Sequence, residues 1–361
     1  MRLAGLAAAG RCGFRRTNLR CSLDPINLYS DTQTRPGEGM RAAIAAAEVG
    51  DEQRGADRTT KRLERRVAEL LGHEAAVFLP SGTMCNEIAL RLHVRPGGDE
   101  VILERSSHPV VAEAGGPAQL AGAMLCPLDG DGGIFTAGQV QAALRADERH
   151  APRSRLVCIE QTTNLGGGRV WPLQAIHEVL ELARANGLRA HLDGARLMNA
   201  VVASGVSASD YASAFDTAWI DFTKGLGAPV GAVLAGSAEL IAEAWRFKQM
   251  LGGALRQSGV LAAACIYALD HNIGRLAEDH ANARTLAQGL AELPGVRLDP
   301  ATVQTNIVIF EVGDPAQLLA RLAGRVELSL LDHGRVRAVT HLDVSSDDIE
   351  QALALIAQAL R

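Results

Sequence analysis

The chain has 361 residues, of which 47% are hydrophobic and 4% aromatic, and its formal net charge is -5. This length is sufficient for a large core, which we expect to divide into two lobes. The acidic balance and the few aromatic rings argue against nucleic-acid binding, which depends on basic surfaces and base stacking. The six cysteines form no Cys-x-x-Cys pair and no Cys/His cluster at metal spacing, so we predict reduced thiols and no metal site.

The first 25 residues differ in composition from the remainder of the chain. Before Asp24 they contain five arginines and no acidic residue, which is typical of organelle transit peptides. The alternatives are a disordered basic tail and a start codon placed too far upstream. We favour these alternatives because the apolar run LAGLAAAG is too short to span a membrane and lacks a convincing cleavage site. No other segment is a candidate membrane span, and we expect a cytoplasmic protein.

Short apolar runs alternate with helical patterns over the next two hundred residues. The runs typical of buried strands are residues 74–80, 99–104, 154–160, 188–193, 217–222 and 231–236. Amphipathic patterns lie between most of them, for example at 84–94, 137–150 and 173–187. This alternation predicts an α/β domain with a mainly parallel sheet, whose functional loops follow the carboxyl ends of the strands.

The C-terminal part of the sequence predicts a second, smaller α+β lobe. A long helix is expected from residue 258 to about 292, followed by strands at 306–312 and 335–342 and a closing helix at 347–361. We therefore divide the chain into an extension (1–25), an N-terminal arm with the large domain (26–265), and a linking helix with the small domain (266–361).

Three of the predicted strands end at segments in which glycine stands next to polar or charged residues. The first, in FLPSGT, places Gly82 and Thr83 at the start of a helix. Unpaired N–H groups and the helix dipole favour a phosphate there, and the threonine hydroxyl adds a donor. The alternative is a simple helix cap formed by Ser81 or Thr83.

Asp193 ends the second of these strands, in HLDGAR. A carboxylate after such an apolar run is costly unless a cation or a proton donor meets it. One interpretation is a salt bridge to Arg196, and the other is an aspartate that keeps a pyridinium nitrogen protonated. Lys224 ends a later element of the same predicted sheet, so a parallel arrangement would bring both residues to one edge.

Lys224, in DFTKGLG, is one of only three lysines among 36 basic residues. Lys61 and Lys248 lie in charged or polar surroundings, and we predict that both are on the surface. Only Lys224 follows an apolar strand and precedes glycines that let another molecule approach, and desolvation favours the neutral amine that a Schiff base requires. A dinucleotide loop is excluded, because Val230 stands where a third glycine would be needed.

A phosphate site, a buried aspartate and a desolvated lysine together predict pyridoxal 5′-phosphate (PLP) as the cofactor. The chain resembles the low-specificity threonine aldolase family, PLP enzymes of the aspartate-aminotransferase-like fold (fold type I) grouped with β-eliminating lyases. The resemblance extends from residues 26–36 to residues 339–349. Its motifs, in chain order, are SDTxTRP, FLPSGTMCN, EAGG, HLDGAR, KGLGAPVG, MLGG and VRAVTHLD.

The resemblance implies roles for the residues at the cofactor. Lys224 matches the lysine that forms the Schiff base, and Asp193 matches the aspartate that faces the pyridine nitrogen. Gly82 and Thr83 match the phosphate-binding turn. His108 matches the histidine that stacks on the pyridine ring.

The resemblance also implies the residues that meet the substrate. Arg196 matches the arginine that reaches the cofactor oxygen and the substrate carboxylate, and Ser30 and Arg337 resemble further carboxylate ligands. His150 resembles the family's second active-site histidine, near the substrate hydroxyl. The implied reaction is cleavage of L-3-hydroxy-amino acids to glycine and an aldehyde, in a homodimer or homotetramer with shared active sites.

Two alternative functions remain open from the residues. A PLP-dependent β-eliminating lyase or racemase would use Lys224 to remove the Cα proton. A PLP-holding or sensor protein without activity is disfavoured, because the lysine and the two carboxylate-binding arginines are all present. The sequence also departs from the family pattern at two segments. Arg54, Ala56 and Arg58 replace a usual Tyr, Glu and Pro, and EQTTN (160–164) replaces ENTHN. The substrate range is therefore expected to differ, with a bulkier substrate such as phenylserine preferred over threonine.

Overall fold

The computed structural model describes residues 24–332 and 334–361. The predicted extension therefore lies outside the described residues, except for its last two positions. No helix of the described residues is long and apolar enough to cross a membrane.

The helices and strands follow the predicted alternation. The helices, in chain order, are α1 (Glu38–Ala45), α2 (Arg58–Leu71), α3 (Gly82–His93), α4 (His108–Val111), α5 (Ala137–Ala143), α6 (Leu173–Ala185), α7 (Leu197–Ser204), α8 (Ala208–Ala212), α9 (Ala238–Met250), α10 (Gly259–His271), α11 (Leu276–Ala291), α12 (Pro315–Leu322) and α13 (Ser346–Ala359). The strands are β1 (Ile26–Asn27), β2 (Ala75–Leu79), β3 (Asp99–Glu104), β4 (Met124–Leu128), β5 (Arg153–Glu160), β6 (Arg189–Asp193), β7 (Thr217–Asp221), β8 (Ala232–Gly236), β9 (Ile307–Glu311), β10 (Val326–Glu327), β11 (Ser329–Leu330) and β12 (Arg335–Val339).

The large lobe is built on a seven-stranded sheet of order β2-β8-β7-β6-β5-β3-β4. Strand β8 runs antiparallel to both of its neighbours, and the other pairings are parallel. All residues of β3, β7 and β8 are buried, because helices cover both faces of the sheet. The prediction of a mainly parallel α/β domain is confirmed, and all six predicted strands are present.

Strand β4 was not predicted. It lies at the edge of the sheet, its sequence MLCPL contains a proline, and none of its residues is fully buried. Proline is tolerated on edge strands, where one row of backbone groups needs no partner. The helix predicted at 137–150 is also shorter than expected, because it ends at Ala143 and leaves the charged segment after it in a loop.

The predicted long helix after residue 258 consists of two helices. A turn that contains Gly274 separates α10 from α11. Ala268 and Leu276 pack in the core of the large lobe, whereas Ala283 packs in the core of the small lobe. The predicted boundary at residue 265 therefore falls inside a helix of the large lobe, and the second core begins within α11.

The small lobe combines a three-stranded antiparallel sheet, of order β11-β12-β9, with the helices α11, α12 and α13. The start of the described chain belongs to this lobe as well. Strand β1 pairs in parallel with β10, and Ile26 and Leu28 are buried in the small-lobe core. The prediction grouped this segment with the large domain, because nothing local in the sequence reveals a partner strand three hundred residues away.

Candidate active site

The candidate site lies where three parallel strands end side by side. Strands β5, β6 and β7 are neighbours in the sheet, and their last residues are Glu160, Asp193 and Asp221. Lys224 follows three positions after Asp221. The topology therefore brings Asp193 and Lys224 to one edge of the sheet, as predicted.

Asp193 is held by neutral donors. It is 3% exposed, its Oδ2 accepts a hydrogen bond of 2.8 Å from Asn86 Nδ2, and its Oδ1 accepts one of 3.0 Å from the Ala195 N–H. Burial raises the pKa of Asp193 despite these bonds. A buried carboxylate of this kind gains stability from a cationic partner such as a protonated ring nitrogen.

Arg196 does not pair with Asp193, which excludes the salt-bridge interpretation. Its guanidinium binds Asp31 with two hydrogen bonds, of 2.8 Å from Nε and 2.6 Å from Nη2. Both side chains are almost fully buried. Burial alone would raise the pKa of Asp31, but Arg196 outweighs it and holds that pKa well below its usual range. The arginine is therefore fixed in one position before any substrate binds.

Arg337 supplies a second guanidinium close to Arg196. It comes from β12 in the small lobe, and its Nη1 donates a hydrogen bond of 2.8 Å to Asn164 Oδ1 in the large lobe. Burial, and then the positive charge of Arg196, lower the pKa of Arg337. In the described part of the chain Arg337 forms no ion pair with a carboxylate. Its charge therefore remains available for the carboxylate of a ligand.

Ser30 directly precedes Asp31, the acid that binds Arg196. It is 5% exposed, and its Oγ accepts a hydrogen bond of 3.2 Å from the Thr32 N–H, which caps a short 3₁₀ turn. The hydroxyl hydrogen of Ser30 is not used by that cap. This arrangement leaves a donor for a carboxylate oxygen.

His108 is oriented by an acid. Its Nδ1 lies 2.7 Å from Glu113 Oε1, and this hydrogen bond raises the pKa of His108. The backbone N–H of His108 also donates a hydrogen bond of 2.9 Å to Glu160 Oε2. Asn86 Nδ2 donates to the same Glu113 oxygen, at 2.7 Å. One network of hydrogen bonds thus joins Asp193 to His108.

Gly82 and Thr83 begin α3, as predicted. Ser81 caps this helix, since its Oγ accepts a hydrogen bond from the Met84 N–H, so the capping interpretation is correct for Ser81. A side chain at position 82 would lie 2.3 Å from the ring of Trp219, which explains the glycine by packing. The first-turn N–H groups of Gly82 and Thr83 have no acceptor within the helix and are free to bind an anion.

His150 is not brought to this site within its own chain. It lies just before β5, its side chain is 84% exposed, and it pairs with Glu148 at 3.0 Å. The eight residues of β5 span more than about 20 Å. His150 therefore lies at the opposite edge of the sheet from Asp193, because it precedes its strand rather than following it.

Lys248 was predicted to be on the surface, and that prediction is wrong. Its side chain is 0% exposed, and its Nζ lies 2.5 Å from Glu52 Oε1 and 4.4 Å from the ring centroid of Trp245. The sequence gives no sign of this ion pair, because the two partners are almost two hundred residues apart. Lys61 is exposed, as predicted.

The side chains at the two departures from the family pattern form no hydrogen bond with the site residues described above, although the Gln161 backbone bonds to those of Asp193 and Arg196. Gln161 is buried, and its Oε1 accepts a hydrogen bond of 3.0 Å from the Trp171 N–H. Thr163 is buried too, and its Oγ1 accepts one of 3.2 Å from the Arg169 N–H. Through these hydrogen bonds both side chains stabilise the segment after β5. Arg54, Ala56 and Arg58 are exposed.

The sequence did not reveal several residues that contact the predicted site residues. They are Asp31, Asn86, Glu113, Glu160, Asn164 and Asp221. Three of them stand inside the motifs SDTxTRP, FLPSGTMCN and EAGG, so the motifs carried a signal that single-residue arguments did not use.

These residues fit PLP. A lysine amine, a buried carboxylate without a cation in contact and a free helix N-terminus meet at one sheet edge, and they suit the aldehyde, the ring nitrogen and the phosphate of that cofactor. No group of three or more His, Cys, Asp or Glu residues in the described ranges could hold a metal ion. The four cysteines in these ranges are free thiols.

Comparison with known proteins decides the family. The model of the beta-eliminating lyase family matches residues 27–312. The low-specificity L-threonine aldolase of Escherichia coli is 40% identical over 331 residues, which cover 91% of this chain and 97% of the relative. The chain belongs to the low-specificity L-threonine aldolases of the beta-eliminating lyase family. This confirms the family that its motifs indicate.

Solved structures show the same fold. Threonine aldolase from Leishmania major superposes with a TM-score of 0.81 at 20% identity, over 93% of this chain and 100% of that one. A serine palmitoyltransferase from S. paucimobilis with bound PLP superposes with a TM-score of 0.74 at 18% identity, over 94% and 88% of the two chains. The predicted fold type I of PLP enzymes is therefore confirmed.

Proposed function

We propose that the protein is a PLP-dependent aldolase that cleaves L-3-hydroxy-amino acids to glycine and an aldehyde. L-Threonine, L-allo-threonine and L-phenylserine are the proposed substrates. The observation that carries this proposal is the meeting of Lys224 and Asp193 at one sheet edge with Arg337, a cation that has no acid partner in the described chain. Family membership supports the same reaction.

The cofactor would be held by residues already in place. Lys224 would bind its aldehyde carbon, Asp193 would face the ring nitrogen, and the start of α3 at Gly82 and Thr83 would take the phosphate. PLP, when bound, supplies a sink for the electron pair left on Cα when a bond to that carbon breaks. The buried carboxylate of Asp193 strengthens that sink because it stabilises the positive charge of a protonated ring.

The carboxylate of the substrate is the group that the two arginines are placed to bind. Arg337 has no acid partner among the described residues, Arg196 is fixed by Asp31, and Ser30 adds a hydroxyl donor. Guanidinium groups bind carboxylates with two parallel hydrogen bonds, which fixes orientation as well as position. Such an anchor would fix the rotation of the substrate about its Cα, and we propose that it selects the bond to Cβ for cleavage.

Cleavage of that bond requires the loss of the proton from the substrate hydroxyl. His108 is a suitable acceptor at Nε2, because Glu113 occupies its Nδ1 and stabilises the charged ring. His150 can serve this purpose only in the site of a neighbouring copy, given its place in its own chain. We further propose that the protein forms a homodimer or homotetramer with shared active sites. Its proposed location is the cytoplasm, and its proposed role is the formation of glycine.

Product analysis tests the reaction. Purified enzyme is incubated with each of the three amino acids, and glycine, aldehydes and keto acids are quantified. We expect glycine with acetaldehyde from the two threonines and glycine with benzaldehyde from phenylserine. If threonine gives 2-oxobutanoate without glycine, the protein is a β-eliminating lyase. Interconversion of enantiomers without cleavage would indicate a racemase, and no turnover at all would indicate a PLP-holding protein.

A further inference from the structure

Asp221 is a buried acid at the centre of the site that none of the roles above uses. It is the last residue of β7, and its side chain is 3% exposed. Its Oδ2 contacts Lys224 Nζ. Its Oδ1 accepts hydrogen bonds of 2.8 Å from both the N–H and the hydroxyl of Thr223. The strand end and the Thr223 turn together hold this carboxylate against the lysine.

Other charged and titratable groups face Lys224 from the neighbouring elements. They are Asp193 from β6, His108 from α4, Cys85 from α3, and Asp31 from the N-terminal segment. Asp31 is already bound by Arg196, and Asp193 is bound by neutral donors. None of these groups forms an ion pair with Lys224 in the described part of the chain.

The other titratable and charged groups near Asp221 also leave Lys224 as its partner. Asp221 interacts electrostatically with the thiols of Cys85 from α3 and Cys265 from α10 and with the guanidinium of Arg196. Both thiols are fully buried, and burial raises the pKa of each so that they carry no charge at neutral pH. Arg196 is committed to Asp31. Lys224 is therefore the cation that Asp221 directly compensates.

We propose that Asp221 is the counter-ion and positioning residue of Lys224, and that it keeps the lysine nitrogen positively charged in the free amine and in the covalent link to the cofactor. Opposite charges in contact favour the charged form, and partial burial strengthens the effect because water screens it less. The part of the inference that concerns the covalent link rests on the proposed function, whereas the part that concerns the free amine does not.

The proposal has a chemical consequence for cofactor loading. The Lys224 ammonium must first lose one proton to solvent, and the neutral amine then attacks the aldehyde carbon. A C=N bond forms, the C=O bond breaks, and the aldehyde oxygen leaves as water with the two amine hydrogens. The nitrogen regains one proton from solvent, and Asp221 stabilises that charge. Because it keeps the Lys224 amine protonated, Asp221 slows this attack. It then stabilises the protonated form of the linked nitrogen.

Acylation of the cofactor-free protein measures the free amine. Cofactor-free enzyme is treated with acetic anhydride at a series of pH values, and the modified lysines are quantified by peptide mass spectrometry. Exposed Lys61 is the internal reference. In Asp221→Asn we expect the pH midpoint of Lys224 acylation to fall by about one unit or more, so that acylation at neutral pH is about ten times faster relative to Lys61.

Two variants separate charge from local structure. Asp216→Asn makes the same change at the other end of β7, where Asp216 pairs with Arg189, and should leave the Lys224 midpoint unchanged. Asp221→Glu keeps the carboxylate and should restore a midpoint near that of the wild type. If Asp221→Asn fails to fold, the smaller Asp221→Ser removes the same charge. An unchanged midpoint in the folded charge-removing variant overturns the proposal.

Absorption spectroscopy of the loaded enzyme gives a second readout. The visible band of the cofactor is titrated with pH, and its transition in Asp221→Asn should move to lower pH than in the wild type. If the visible band instead survives Lys224→Ala, the cofactor assignment of the proposed function fails, while the acylation result still decides the role of Asp221. If Lys224 binds the cofactor but neither titration moves, only the inference about Asp221 fails.

Discussion

Arg337 in the small lobe donates a hydrogen bond of 2.8 Å to the side-chain oxygen of Asn164 in the large lobe. This contact holds the proposed carboxylate anchor at the boundary between the two lobes. Hydrogen bonds to charged groups contribute about 1.5–3 kcal/mol. In Asn164→Ala we therefore expect the KM for L-threonine to rise about tenfold or more, since the free guanidinium no longer has a fixed position.

A second bond between the lobes provides the control for this prediction. Gln304 Oε1 accepts a hydrogen bond of 2.6 Å from the Val170 N–H, away from the arginines. Gln304→Ala should leave KM within about twofold of the wild type, because it removes a contact between the lobes without touching the anchor. Equal changes of KM in the two variants would assign the Asn164 effect to the packing of the lobes.

Lys224→Ala should abolish the visible absorption of the purified enzyme. Lys224 is the only lysine with its nitrogen at the sheet edge, because Lys61 is exposed on α2 and Lys248 is buried against Glu52. The variant should bind PLP only reversibly, and it should be less stable than the wild type because the buried Asp221 carboxylate loses its cation. Lys61→Ala is the control and should keep the band; a normal visible spectrum in Lys224→Ala would contradict the assignment.

Replacement of Glu113 by Gln should lower the pKa of His108. The hydrogen bond to Glu113 raises that pKa in the folded protein, and a neutral amide cannot stabilise the protonated ring in the same way. The measurement is the chemical shift of the His108 ring proton as a function of pH, with His108→Gln to identify the signal. Glu148→Gln, beside exposed His150, is the control and should leave the His108 titration unchanged.

Glu87 should make the stability of the enzyme depend on pH. Burial and the nearby carboxyl group of Glu113 raise the pKa of Glu87 from 4.5 to about 8. The folded state therefore keeps a proton that the unfolded chain releases, so this contribution to stability is full below 4.5 and is lost as pH rises through about 8. Glu87→Gln should flatten the fall in the free energy of unfolding across this window.

Urea unfolding of both proteins at several pH values measures the effect. Other buried acids titrate in the same range, for example Glu160 with a pKa that burial raises to about 7. The difference between the wild type and Glu87→Gln isolates the contribution of Glu87. A difference that does not change between 4.5 and 8 would show that Glu87 is charged in the folded state.

Six of the seven strands of the large sheet could be predicted from the sequence. Alternation of apolar runs and helical patterns located all six predicted strands of the large sheet, and their parallel arrangement placed Asp193 and Lys224 at one edge. The small number of lysines helped as well, since three lysines leave few candidates for a Schiff base. These features are local, so a single sequence reveals them.

Long-range pairings could not be predicted. Arg196 is three positions from Asp193 but pairs with Asp31, and Lys248 pairs with Glu52. In both cases the local pattern favoured the nearer partner or solvent, because periodicity contains no information about which distant acid the fold will supply. His150 shows the opposite limit: the family resemblance implied an active-site role, but its place before β5 puts it at the edge of the sheet opposite to Asp193 in its own chain.

The pairing of β1 with β10 has a consequence for synthesis of the protein. Tyr29 and Ser329, joined by a hydrogen bond of 2.7 Å, are separated by 300 residues. The ribosome releases the segment around Ser30 and Asp31 among the first described residues, yet the strand that holds it emerges among the last. Once synthesised, Arg196 therefore lacks a fixed acid partner until β10 has emerged. Binding of substrate carboxylates cannot begin on the nascent chain, and the enzyme becomes competent only after its C-terminal lobe has been released.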